Sequence, residues 1–323
     1  MATPVGADQL TSLSRRFILP EIPDQVYGSN GLFARWNQGR RREIPGGYQI
    51  ELPIIHQAYT TGGPITEWGI QTITPQDNVV SAAWDWKQHE KSVAISSLRM
   101  TKANSPEAKF SLLKETFEEA EMSLADDMGV GLMSDGTTNP AEIDGLALAV
   151  DSTGTYAGLL RSTYPVWAAN EDSTTATLTP AAIRSMFANC KNGGRNVTVI
   201  VSEIGQWSRF LALGEASQEH PVGSGGADPQ LLSLGFTNGY FMNVPWMEDS
   251  HTFDGPDANN SAVLCLNEFY IDLGVNPGMD FVVYPFVQAG AGTQLGWTCS
   301  MEWQGNLINR GPQFSGKLTN ISA

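Results

Sequence analysis

Cationic side chains are scarce in this chain: 19 Lys and Arg stand against 34 Asp and Glu, for a formal charge of −15. That balance excludes tight general binding to nucleic acid, whose affinity comes mostly from phosphate neutralisation by Lys and Arg. Between Arg209 and Arg310 there is no Lys or Arg, while the stretch holds Glu215, Glu219, Asp228, Glu248, Asp249, Asp254, Asp257, Glu268, Asp272, Asp280 and Glu302. From Glu43 through Trp86 there is no Lys. No run of about 18 apolar residues occurs, and the N-terminal Met1 to Phe17 lacks the apolar stretch and cleavage site of a signal peptide. A protein neither inserted in a membrane nor exported is expected. Cysteine is rare too: Cys190, Cys265 and Cys299 are far apart and unaccompanied by nearby histidines. Neither a disulfide framework nor a zinc cluster is suggested, and buried thiols in a reducing compartment are expected.

What is present is organised along the chain. The first 46 residues are mildly basic, with Arg15, Arg16, Arg35 and the run Arg40-Arg41-Arg42. Residues 1 to about 43 hold Pro4, Pro20 and Pro23 and show no sustained period of 3.6 or 2, so they read as an extended arm. Phe17, Ile18, Leu19, Leu32, Phe33 and Trp36 on such an arm need the rest of the chain, or another chain, to bury them. Tyr48 to His56 and Val79 to Trp86 alternate like strands, separated by turn chemistry at Gly62-Gly63-Pro64 and Thr74 to Asn78. They predict a projecting β-hairpin with a broad tip carrying Ile65, Trp68, Ile70, Trp84 and Trp86. A two-stranded ribbon is marginal alone in water, so its apolar face is expected on a neighbouring subunit.

Ser105 as N-cap and Pro106 at the first helical position open a helix of roughly 27 residues, about 40 Å long, through Phe110, Leu113, Phe117, Leu124, Met128 and Leu132. Gly129 and Gly131 are expected to fray its end. Beyond Gly145, Thr179-Pro180 caps a helix that stops at Gly193-Gly194, Asn196 to Val201 is a buried strand, and Ser202 caps a second helix. Strands are then expected near Tyr240 to Val244, Val263 to Asn267, Phe269 to Leu273, Phe281 to Tyr284, Gln294 to Trp303 and Gln313 to Ile321.

Catalytic motifs fail on inspection. Gly311 to Leu318 matches the phosphate-binding loop until Leu318 takes the place of the magnesium-binding Ser or Thr, and a turn between terminal strands is expected instead. His89-Glu90 opens like a zinc-protease motif, but Val93 stands where a second histidine is required. His56, His89, His220 and His251 read as isolated surface or hairpin residues. Asp249, Asp254 and Asp257 lack the ligand spacing of a calcium loop and read as a solvated loop. The triplets at Asn196, Asn259 and Asn320 mean nothing for glycosylation without export.

A basic arm, a tryptophan-bearing hairpin, a long helix and then a mixed domain, in that order, resembles the major capsid proteins of tailed bacteriophages, the Hong Kong 97 fold. The likeness is sharpest at Trp84-Asp85-Trp86-Lys87-Gln88, Val93 to Ser96 and Leu132 to Gly136. It continues at Ile143 to Leu146 and Asp151 to Gly158, with Arg161 and Trp167. The resemblance implies an α+β fold with an N-terminal arm (1–43), an extended loop (44–88), a peripheral domain (89–150 and 285–323, with a spine helix over 106–132) and an axial domain (151–284). It implies a shell of hexamers and pentamers enclosing packaged double-stranded DNA without specific binding, located in the virion after assembly in the host cytoplasm. Partners would be further copies, a portal protein, a scaffolding protein supplied separately or already removed, and a decoration protein in some shells. An encapsulin compartment is the alternative with the same fold, and a cytoplasmic enzyme the alternative of another class. No cofactor, metal ion, catalytic residue or membrane contact is expected. The residues expected at subunit interfaces are Arg40, Arg41, Arg42, Trp68, Ile70, Trp84 and Trp86. Relatives that crosslink lysine to asparagine use an amine on the extended loop, which the absence of Lys from Glu43 to Trp86 denies to this chain.

Overall fold

A computed structural model of the chain describes residues 31–71, 73–103, 105–136, 139–174, 177–218, 239–249, 251, 262–288 and 295–321. Its first element corrects the expected extended arm: Gly31–Gly39 is a helix, α1. Leu32, Phe33 and Trp36 share one face at three- and four-residue spacing, and all three are buried in the chain's own core. Phe17, Ile18 and Leu19 lie outside the described residues. Strand β1 (Arg41–Glu43) follows, then the hairpin strands β2 (Gln49–Ile55) and β3 (Val79–Asp85), β4 (Lys87–Ser96) and the short helix α2 (Ser97–Lys102).

The long helix α3 spans Pro106–Met133, opened by Ser105, whose hydroxyl accepts from the Ala108 N–H at 3.1 Å. Leu113, Phe117, Leu124, Met128 and Leu132 face the core. Its end does not fray, because Gly129 and Gly131 are buried. Gly145 presses against this end so closely that a Cβ there would sit 2.6 Å from the carbonyl oxygens of Gly131 and Ser134, leaving glycine as the residue that fits.

The chain continues through α4 (Leu146–Ala149), β5 (Thr155–Tyr156), β6 (Leu159–Leu160), β7 (Asn170–Asp172), α5 (Pro180–Asn189), β8 (Val199–Ser202) and α6 (Ile204–Gln218). Thr179 caps α5 as expected. Ser202 does not cap α6; it lies in β8 and its hydroxyl accepts the Trp246 indole N–H at 2.7 Å. The remaining strands are β9 (Gly239–Phe241), β10 (Val244–Glu248), β11 (Val263–Leu266), β12 (Ile271–Val275), β13 (Val282–Val283), β14 (Val287–Gln288), β15 (Gly296–Asn309) and β16 (Gly316–Leu318). Between β15 and β16 the phosphate-loop lookalike is a 3-10 turn, Pro312–Phe314.

Two six-stranded sheets result. In the first, β15 pairs with β4 from Gly296 to Gly305 and with β12 from Gly305 to Asn309, while β1 closes the far edge in parallel with β12. The second runs β7-β16-β11-β8-β10-β9. Its central strands are buried on both faces, and the two-residue side-chain period divides them between two cores. Val199, Val201, Leu264 and Leu266 face the core shared with α3, whereas Ile200, Val263 and Cys265 face the layer of Ile183, Met186, Phe210 and Trp246. The sheets do not follow the division expected at residue 284: β12 belongs to the first sheet and β16 to the second.

Candidate assembly surfaces

The hairpin is a seven-pair antiparallel ribbon, from Gln49 opposite Asp85 to Ile55 opposite Val79. Burial along it falls from base to tip. At the base Ile50, Ala82 and Trp84 are buried, Leu52, Ile54 and Val80 are partly covered, and Ile55 and Val79 are exposed. The tip folds on itself through polar contacts. Gln76 donates to the Thr60 hydroxyl at 2.7 Å and accepts the Thr60 N–H at 3.0 Å, and Gln57 donates to Asn78 at 3.0 Å. These leave the apolar side chains outside: Trp68 is 91% and Ile70 94% exposed, with Tyr59, Ile65 and Ile73 beside them in solvent. An apolar group of this extent on a projecting element is a candidate contact surface.

Trp84 is corrected. It is 1% exposed in the single chain and packs edge-on against Tyr156 (5.9 Å between centroids) and beside Trp167 (6.2 Å). Its alternation partner faces match those of Ile50 and Ala82, so the same pleat that would face a neighbour faces this chain's own crossing segment. Arg161 fixes that segment, with its guanidinium buried and donating to the carbonyls of Leu148, Thr153 and Trp167. Burial lowers the Arg161 pKa and raises that of Tyr156. Trp86 is also held within the chain, half-buried, with its indole N–H donating to the Gly47 carbonyl at 3.0 Å.

The arginine run divides by strand alternation. Arg41 is paired inside the chain, 2.8 Å from Asp280 and 3.4 Å from Glu43. Arg40 and Arg42 lie on the opposite face, toward Asp272. Burial raises the Asp272 pKa, and Arg310, Arg42 and Arg40 oppose that rise. Arg40 sits 5.7 Å over the Phe269 ring, and Arg42 is exposed.

Sequence reading missed the anchor of α1. Glu268 receives Arg35 through two bonds (2.6 and 2.8 Å), the Trp36 indole N–H at 3.1 Å and the Thr198 hydroxyl at 2.8 Å. Burial would raise its pKa, but the bonds from Arg35 and Thr198 outweigh burial and hold it below the ordinary carboxylate range. The only local signal was a carboxylate placed between the apolar strands β11 and β12.

The described histidines are not isolated. His56 packs on Tyr164, and His89 lies against Trp303 with its pKa lowered by burial. His251 stands between two carboxylates, Nε2 2.9 Å from Asp126 on α3 and Nδ1 3.2 Å from Asp249. Burial would lower its pKa, but the hydrogen bond it donates to Asp126 and the charge of Asp249 raise it. Asp249 is therefore not a solvated loop residue; Asp254, Asp257 and His220 lie outside the described residues. All three cysteines are buried free thiols, with Cys190 and Cys299 pushed up to about 12 by burial. Among the described residues no group of three or more His, Cys, Asp and Glu is gathered for a metal ion, and no helix is long and apolar enough to cross a membrane.

No protein-family model and no curated protein matches the chain. Solved structures do. A cyanophage A-1(L) capsid chain superposes with a TM-score of 0.65 at 15% identity, over 90% of this chain and 93% of that one. The capsid of a native GTA particle gives 0.58 at 9% identity, over 89% and 90%. The holo-SrpI encapsulin complex from Synechococcus elongatus gives 0.51 at 9% identity, over 88% and 86%. With its spine helix, projecting hairpin and two sheets, the chain has the α+β Hong Kong 97 fold of these shells.

Proposed function

We propose that the chain is the major capsid protein of a tailed bacteriophage, a structural subunit that assembles into hexamers and pentamers around packaged double-stranded DNA. The observation that carries this reading is the hairpin: its base is built into the subunit through Trp84, while its tip presents Trp68 and Ile70 to solvent. A soluble monomer gains nothing from holding that surface out, whereas a shell covers it at every contact between copies. The fold likeness supports the same reading, with the capsid chains superposing better than the encapsulin.

On this reading Trp68 and Ile70, together with Arg40 and Arg42, lie at subunit contacts. The first sheet with α3 forms the peripheral part of the subunit, and the second sheet forms the axial part around the hexamer and pentamer axes. The −15 charge keeps the wall from holding DNA tightly. Scaffolding, portal and decoration proteins are the partners the reading requires, and assembly takes place in the host cytoplasm. Negative-stain microscopy of the expressed chain, alone and with its scaffolding protein, should show closed shells of uniform diameter. Only monomers under both conditions would overturn the proposal.

A further inference from the structure

Two surfaces of this chain are each incomplete in the opposite sense. Around the junction between β11 and β12, the rings of Phe269, Tyr270 and Phe314 form a half-buried floor, with Tyr270 4.6 Å from Phe314 and 5.2 Å from Phe269. The Arg195 guanidinium lies over this floor, 3.3 Å from the Phe269 centroid, and Arg40, just before β1, approaches the same ring at 5.7 Å. One Arg195 nitrogen donates to the Tyr270 hydroxyl at 3.4 Å, and stacking leaves the remaining guanidinium N–H groups to meet an anion. Asp272 is the carboxylate nearest Arg40 and Arg42, and it is already paired with Arg310 at 3.0 Å. Among the described residues Arg40, Arg42 and Arg195 have no carboxylate within ion-pair distance.

The hairpin is the converse. From Glu43 through Trp86 the sequence holds neither Lys nor Arg, yet Glu51, Glu67 and Asp77 are exposed along the ribbon and its tip. None of the three is in an ion pair with a described residue. The same tip carries the exposed Tyr59, Ile65, Trp68 and Ile70. One surface thus offers cations over aromatic rings, and the other offers carboxylates among apolar side chains.

We propose that the hairpin tip of one copy docks on the Arg40, Arg42 and Arg195 patch of a second copy, with Glu67 and Asp77 meeting the arginines and the tip's apolar residues covering the aromatic floor. This rests on the shell reading and names the landing site within it. Complementary potentials fix the register of such a contact, because like charges brought together there cost several kcal/mol.

Charge reversal tests the pairing in the full-length chain. Arg40→Glu with Arg42→Glu should raise the protein concentration needed for shell formation by about tenfold or more at low salt, and so should Glu67→Lys with Asp77→Lys. Combining all four should restore assembly to within about threefold of the parent. Arg42→Gln alone, at an exposed position, should act in the same direction while leaving the subunit folded. A four-fold variant that assembles no better than either reversed pair would overturn the pairing. Normal shells from the arginine variants, with loss only of salt-sensitive DNA retention, would assign the patch to the packaged nucleic acid and also overturn it. A parent chain that forms no shells at all would instead remove the shell reading, and the two failures are distinct.

Discussion

Glu268→Gln is the most telling substitution for the way the N-terminal helix is held. The carboxylate is buried and accepts four hydrogen bonds, two of them from Arg35 in a bidentate fork. Glutamine keeps the shape but replaces one acceptor oxygen with a donor, which then faces Arg35 together with either Trp36 or Thr198. Removing one partner of a buried ion pair costs roughly 3–5 kcal/mol. Arg35 is 38% exposed, so its freed guanidinium reaches water and the cost falls to about 2–3 kcal/mol. At 1.4 kcal/mol per decade, that is roughly a 30- to 140-fold rise in the population with α1 detached. Limited proteolysis of dissociated subunits at pH 7 should show faster cleavage before Arg40, and the urea midpoint should fall. The depressed Glu268 pKa fixes the pH dependence. Its stabilisation is complete above the unfolded value of about 4.3 and is lost as pH falls through the lower folded value, so parent and variant should converge in acid. Equal cleavage rates at pH 7, or a difference that persists unchanged at low pH, would refute a charge-based anchor.

Three other outcomes follow from the same geometry. The raised His251 pKa means that its bridge between α3 and the end of β10 is fully formed below the unfolded value of about 6.5 and is lost as pH rises through the folded one; because Asp126 is largely exposed, His251→Gln should cost no more than about 1 kcal/mol at pH 6 and nothing at alkaline pH. A pH-independent effect in urea titrations would contradict the bridge. Trp84→Ala should destabilise the subunit by about 3–5 kcal/mol, while Trp68→Ala should leave the subunit midpoint within about 0.5 kcal/mol and suppress shell formation in light scattering. Mature particles boiled in detergent and reductant should run as one band near 34.9 kDa, since the hairpin has no lysine; a ladder of covalent oligomers would point to an amine elsewhere.

Legibility of the fold in the sequence followed the range of the interactions. The long helix was readable because its cap, Ser105-Pro106, and its apolar stripe are both local, and its observed end is one residue from the expected one. Thr179-Pro180 was readable for the same reason. Helix α1 was not, since nine residues give too few turns for a period to stand out among prolines and glycines. Ser202 looked like a cap because β8 ends where α6 begins, and only the distant Trp246 shows which role its hydroxyl takes. The Glu268 anchor joins residues 233 apart in sequence, and the His251 bridge joins residues 125 apart. No spacing rule reaches that far.

The tryptophans of the hairpin show why an assembly surface is the hardest part to read. Trp68 and Trp84 both sit in a ribbon of alternating residues, and alternation reports only that one face is covered. It does not say whose side chains cover it. The distinction comes from what the chain itself brings to each end. At the base, Tyr156, Trp167 and the Arg161 knot reach Trp84 from a crossing segment seventy residues further on. At the tip, nothing described in the chain reaches Trp68, and the polar bonds of Gln57, Thr60 and Gln76 tie the two limbs of the tip to each other rather than to the body of the chain. On the proposed shell reading, a ribbon clamped at one end by its own core and apolar at the other would carry a contact between copies: the subunit supplies the order at the base, so docking need not meet the full entropy of arranging the ribbon.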